Sequence, residues 1–186
     1  MIFKAKGIYI FLDPFDRADS GVSSYTTLAA TRLARLGITS KTIKLNQDET
    51  ITEFRERAAN LVSQIKERIL CVEAPESLAS SSKIPESIPI HIRLHCSRSL
   101  GAAIQGLPYS NSDVAIEQTE LNRAKYLSAP SWAAYFASLS LFNIQIAPLL
   151  YPNPSPDFQP RKTTKPEYDI LFVGRLQFLK GLHYLE

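Results

Sequence analysis

The chain has 186 residues, 45% of them hydrophobic, enough for one well-packed core and too few for two complete ones. Its formal charge of +3, from 21 basic and 18 acidic residues, is scattered rather than gathered into basic runs. That pattern argues against a nucleic-acid partner and leaves an anionic small molecule open.

In chain order, GIYIFLDP (Gly7 to Pro14) is a short apolar run rich in aromatic and β-branched residues and closed by a turn signal, so it reads as a buried first strand. The apolar run of the N-terminus is broken by Asp13 and has no cleavage-like site, which favours a strand over a signal peptide. After the loop FDRADSG, the residues Tyr25, Leu28, Ala29, Leu33 and Leu36 recur at helical spacing, with Ser23 or Ser24 as N-cap and Gly37 as stop. Ile38 to Asn46 reads as a second strand, and Thr52 to Ile69 as a second helix carrying Phe54, Ala58, Leu61, Ile65 and Ile69. ILCVE, from Ile69 to Glu73, is the third strand.

SLASSSKIPES reads as a polar connection. IPIHIRLHC follows as a strand in which Ile88, Ile90, Ile92 and Leu94 alternate with Pro89, His91, Arg93 and His95, giving it one more polar face. Cys71 and Cys96 each lie in an apolar strand-like run, which predicts two buried thiols in a reducing cytoplasm. Ser112 to Lys125 is helix-compatible, YLSAPS is a strand, and Ser131 caps the helix WAAYFASLSLF, whose Trp132 is expected in the core. QIAPLLYPNP closes the series as another strand. Strands alternating with helices at this spacing predict an α/β fold, an open doubly wound, Rossmann-like parallel sheet with right-handed crossovers. Five prolines then interrupt the polar stretch from Pro152 to Pro166, which reads as an interdomain linker, and YDILFVG starts a fresh buried strand.

In such a sheet, ligands bind at the carboxyl ends of the strands, where helix N-termini offer free N–H groups. Two stretches have that form. Gly21 in the first loop either serves the turn or lets a ligand approach the backbone. Gly174 ends the late strand, with Arg175 able to fork onto phosphate oxygens and Lys180 beside Gly181 near a helix start. His95 falls at a strand end, either satisfied by local backbone groups or facing the cleft. Glu120 and Ser131 read first as helix and loop architecture and second as cleft residues. His91, His95 and His183 lack metal-ligand spacing, so no metal is expected. The first loop lacks the G-x-G-x-x-G fingerprint of nicotinamide enzymes.

FVGRLQFLKGLHYLE resembles the opening of the nucleotide-binding domain in family-four retaining glycosyltransferases of the GT-B fold. SGVSSYTTLAATRLARLG, IHIRLHCS, ELNRAKYLSAPS and LLYPNP resemble, in the same order, the family's first loop and helix, its strand ending in histidine, its helix and strand ending in serine, and its crossover to the second domain. Ser20 stands where the family often has the first of two adjacent glycines. The resemblance implies the N-terminal half of a GT-B fold: residues 1–151 an acceptor domain, 152–167 the linker, and 168–186 the start of a nucleotide-sugar-binding domain cut off early. It implies a hexosyltransferase that moves sugar with retention from a nucleotide-diphosphate sugar to a glycan or lipid-linked glycan, without cofactor or metal. Gly21, Gly174, Arg175 and Lys180 would hold the donor diphosphate, His95 would face the transferred sugar, and Glu120 and Ser131 would border the cleft. The implied location is cytoplasmic, with peripheral association at the inner membrane face allowed, and the chain on its own is expected to be inactive. The alternative is a nucleotide- or sugar-binding α/β module without catalysis.

Overall fold

A computed structural model describes residues 6–15 and 20–155. They form six strands, β1 Ile8–Asp13, β2 Thr39–Lys44, β3 Ile69–Pro75, β4 Ile90–Arg93, β5 Tyr126–Ala129 and β6 Leu149–Leu150, and five helices. The helices are α1 Gly21–Arg35, α2 Ile51–Ser63, α3 Arg98–Ile104, α4 Asn111–Asn122 and α5 Trp132–Leu139. The strands form one sheet in the order β2-β1-β3-β4-β5-β6, and every neighbouring pair is parallel. This is the open α/β sheet that the sequence predicts. The order reverses between β1 and β3, so the crevice of the switch point opens above their carboxyl ends.

The register sorts the side chains of the sheet into two unlike faces. Cα partners in a parallel sheet share a face, which puts Ile10, Val72 and Ile90, and beside them Ile92 and Leu127, on one side. These pack with Phe54, Ala58 and Val62 of α2, Leu100 of α3, Leu121 of α4 and Phe142 into the apolar core. The opposite face carries Tyr9, Phe11, Cys71, Glu73, His91, Arg93 and Ser128, and α1 lies against it, with the Tyr25 ring 4.9 Å from the Arg93 guanidinium carbon. Helices on both faces make the sheet doubly wound.

Local signals explain most element ends. Ser20 caps α1, its hydroxyl accepting from the Ser23 N–H at 2.9 Å. The cap therefore precedes both serines read as candidates, and Gly21 becomes the first helical residue. Gly37 takes φ +73 while Gly37 N–H and Ile38 N–H return to the carbonyls of Ala34 and Leu33, a glycine stop with paired backbone bonds. Thr50 and Glu53 form a reciprocal capping box at α2. That helix ends at Ser63 rather than at Ile69, because Ile69 is already paired with Ile8 in the sheet. Helix α3 has no counterpart in the sequence reading; seven residues give too short a period to register.

Two expectations need correction. Cys96 is exposed, because β4 stops at Arg93 and the chain turns through a left-handed residue at φ +79 before Ser97 caps α3. Trp132 is 54% exposed and stacks on Phe136 along the outer face of α5. The polar connection after β3 is buried at Ser77, Ser80, Ser81 and Ile84. Side chains of flanking helices satisfy its backbone, Arg55 at the Leu78 carbonyl and Arg123 at the carbonyls of Ser82 and Ile84.

Gly7 marks the tightest approach in the sheet. It holds φ +148, and a Cβ there would sit 2.4 Å from the Arg68 carbonyl oxygen and 2.9 Å from Leu70. Because the obstacle is backbone, Gly7→Ala is expected to cost roughly 2 kcal/mol or more and lower Tm by at least about 4 °C in thermal unfolding. An unchanged Tm would show that β1 can enter the sheet by another path.

Candidate functional site at the carboxyl edge of the sheet

Gly21 and His95 follow the carboxyl ends of β1 and β4, and because all strands run parallel they lie on one edge. The ring of His95 meets Tyr25, in the second turn of α1, edge-on at a centroid distance of 4.9 Å. Burial, then the positive charge of Arg93, lowers the His95 pKa to about 4, with Glu73 opposing the change. The imidazole is therefore neutral near pH 7, able to donate one hydrogen bond and accept another.

Apart from its chain neighbours and its own helix, no described residue comes within 4 Å of the position a Cβ would take at Gly21. The first turn of α1 carries no acidic residue. Nearby, Asp13 is fully buried at the end of β1 and accepts the Ser23 hydroxyl at 2.6 Å, while its Oδ1 has no partner among the described residues. Burial raises the Asp13 pKa, against the Ser23 hydrogen bond and the charge of Lys44.

Ser131 lies beyond the carboxyl end of β5, and its hydroxyl accepts the Ala134 N–H at 3.2 Å as the cap of α5. Glu120 is elsewhere. It sits in the last turn of α4, near the amino edge, where Lys125 N–H bonds the Ile90 carbonyl at the start of β4. Its Oε1 accepts from Ser81 N–H at 2.8 Å and the Ser80 hydroxyl at 3.3 Å, pinning the buried connection after β3. The structure thus brings Gly21, His95 and Ser131 to one edge and leaves Glu120 as architecture. Gly174, Arg175 and Lys180 lie outside the described residues.

Under this edge, on the polar face of the sheet, runs a network that the sequence reading did not assemble. Glu73 Oε2 accepts the Tyr9 hydroxyl at 2.5 Å and lies 2.9 Å from His91 Nδ1, and Tyr9 Oη is 2.7 Å from the same nitrogen. His91 Nε2 is 2.7 Å from Ser128 Oγ. Arg93 is wholly buried and donates to Ser128 Oγ at 3.4 Å, the Tyr151 carbonyl at 3.0 Å and Asn153 Oδ1 at 2.7 Å. Burial alone would raise the Glu73 carboxyl, but the hydrogen bond and charge of His91, with the hydroxyls of Tyr9 and Tyr25, outweigh it and hold the pKa below its ordinary value. Burial raises both Tyr9 and Tyr25 far above the ordinary phenol range.

Glu73, His91 and Ser128 have the connectivity of a carboxylate–imidazole–hydroxyl relay. Ser128 nevertheless has no exposed surface, and its hydroxyl is engaged by His91, Arg93 and Tyr151, so a substrate carbonyl has no approach to it. The arrangement holds structure rather than a nucleophile. Alternation along β4 made the polar face legible, but its partners come from β1, β3, β5 and the segment after β6, which no local pattern connects.

Beside the network, α1 and the segment from Tyr151 to Pro154 border an open pocket of about 290 Å³ lined by Tyr9, Phe11, Tyr25 and Tyr151. Among the described residues there is no group of three or more His, Cys, Asp or Glu side chains able to hold a metal ion, and no helix long and apolar enough to cross a membrane.

No protein-family model and no curated protein matches the chain.

Two measurements probe buried groups of the domain. Burial raises the Glu120 pKa to about 7, so the folded state binds a proton that the unfolded state has already released between pH 4.5 and 7. This contribution is least costly at low pH and lowers stability as pH rises through that window. Glu120→Gln, which keeps the acceptor for Ser81, is expected to raise stability by about 1–3 kcal/mol at pH 8 and to change it little at pH 5. Denaturant midpoints at both values check it; an equal effect at both would mean that Glu120 is ionised throughout. Burial also pushes the Cys71 thiol up to about 12, while Cys96 is exposed. A disulfide reagent is therefore expected to label one thiol quickly in the native chain and the second only on unfolding, and two fast thiols would contradict the burial of Cys71.

Proposed function

We propose that this domain is the acceptor-side half of a retaining glycosyltransferase that uses a nucleotide-diphosphate sugar. The observation that carries this reading is the neutral His95 at the carboxyl edge of β4, seated against Tyr25 on the edge where α1 presents its N-terminus. A neutral imidazole can hydrogen-bond a sugar hydroxyl, an interaction that strengthens as the ring gains oxocarbenium character. An imidazolium there would repel the same developing charge.

The start of α1 supplies the complementary element. The partial positive charge of its N-terminus and the lack of a side chain at Gly21 suit the oxygens of a departing diphosphate. Gly174, Arg175 and Lys180 carry the same proposal by resemblance, Arg175 and Lys180 offsetting the leaving-group charge. Ser131 is the remaining edge residue that an acceptor can meet, although its hydroxyl already serves the helix cap. No reaction step needs a cofactor. A glycan or lipid-linked glycan is the proposed acceptor.

The test is a transfer assay on the complete gene product that contains these residues, with UDP-, GDP- and ADP-sugars and oligosaccharide or lipid-linked acceptors. Donor consumption with retained anomeric configuration is expected, and His95→Ala should lower kcat about a hundredfold or more with Tm unchanged. Absence of donor consumption, or full turnover in the His95 variant, overturns the proposal.

A further inference from the structure

Two buried carboxylates hold the loop that carries His95. Glu76, just past β3 and 1% exposed, accepts the His95 N–H at both oxygens, at 2.9 and 3.0 Å. Glu117 of α4, 3% exposed, accepts Arg98 N–H at 2.9 Å, Ser99 N–H at 3.3 and 3.4 Å, and the Ser97 hydroxyl at 3.0 Å. Between these anchors Cys96 adopts φ +79, a conformation that side chains other than glycine seldom take and that persists only when its surroundings impose it. The loop is held at both ends by charge accepting backbone N–H groups.

We propose that Glu76 is a positioning residue whose carboxylate, by accepting the His95 N–H, fixes the imidazole in its edge-on seat against Tyr25. The functional weight of this seat rests on the reading of His95 given above. Glu76 itself cannot meet a ligand, since it is buried and its carboxylate is turned onto the loop backbone.

The charged and titratable groups around the pair are Glu73 of β3, His91 and Arg93 of β4, Tyr25 of α1 and Glu117 of α4. Burial pushes the Glu76 carboxyl up to about 7, with Glu117 adding to the effect and the N–H groups of His95 and Cys96 opposing it. His95, at about 4, stays neutral throughout that range. Protonation of Glu76 converts a charge-assisted acceptor into a weaker neutral one, so the seat loosens as pH falls below about 7 although His95 itself does not titrate there.

Nuclear magnetic resonance of the 186-residue chain, with its histidine rings labelled, reads this directly between pH 5.5 and 8.5. The His95 signals are expected to show a small step near pH 7 without the shift to imidazolium, and Glu76→Gln should abolish the step. In Glu76→Ala, contacts between the His95 and Tyr25 rings should weaken. A wild-type His95 signal that is flat from pH 6 to 8, or a step that survives Glu76→Gln, overturns the proposal even if the alanine variant does not fold. In the complete gene product, Glu76→Gln should alter the pH profile of kcat and leave the donor KM unchanged. If the resonance step is present while His95→Ala retains full turnover, the functional reading falls and the seat stands.

Discussion

Arg93 imposes the constraint on which the arrangement of the polar face depends. It is a permanently charged group with no exposed surface, and among the described residues it has no carboxylate within ion-pair distance. A cation in that position is tolerable only if its surroundings replace water. They do so in large part with two aromatic faces, Tyr25 at 4.9 Å and Tyr151 at 4.1 Å from the guanidinium carbon, and with oxygens from Ser128, Tyr151 and Asn153 at its terminal nitrogens, while Nε has no hydrogen-bond partner among the described residues. These come from α1, β5 and the segment after β6. Burial of one side chain thus ties α1, β4, β5 and the segment after β6 into a single arrangement.

The rest of the face follows. Tyr151 contributes its carbonyl and ring to Arg93, while its hydroxyl meets those of Tyr25 and Ser128, so it cannot shift without disturbing three partners. Ser128 passes the network on to His91, and His91 to Glu73 and Tyr9. Glu73, whose pKa is held below its ordinary value by His91 and the hydroxyls of Tyr9 and Tyr25, ends the network as its carboxylate. The apolar face needs no such arrangement, because Ile, Val, Leu and Phe side chains are indifferent to direction and need only fill volume. Specific geometry in this domain is concentrated on the polar side of the sheet.

This asymmetry explains what was legible in the sequence. The core face announced itself through the spacing of Phe54 and Ala58 and through the alternation of Ile90 and Ile92, because hydrophobic burial repeats with the local period. His91 and Arg93 were visible as the polar phase of the same alternation, but a polar residue in a strand is ordinarily read as solvent-facing, and here both are buried. Trp132 failed in the opposite sense: aromatic composition predicted burial, whereas α5 meets the core through Tyr135 and Ala137 and turns Trp132 and Phe136 outward. Glu76, Glu117 and Glu120 were unreadable as anchors because their partners are backbone N–H groups and serine hydroxyls 18 to 40 positions away in sequence. Gly21 and His95 could be placed on one edge for a simpler reason, since parallel strands fix which end follows each of them.

The same buried cation also reaches the candidate site. Arg93 is two residues before His95 and presses on the Tyr25 ring that His95 meets edge-on. Its charge acts with burial to keep the imidazole neutral, and its hydrogen bonds to Tyr151 and Asn153 hold the chain where it leaves the sheet. A displacement of the Tyr151–Asn153 segment would therefore strip partners from Arg93, alter the packing of Tyr25 and change the field at His95 in one movement. Electrostatic preorganisation at the edge and the anchoring of the segment beyond β6 are two consequences of a single buried charge. The polar face thereby couples the surroundings of His95 to the position of the following chain, a connection that an apolar replacement of similar volume could not make.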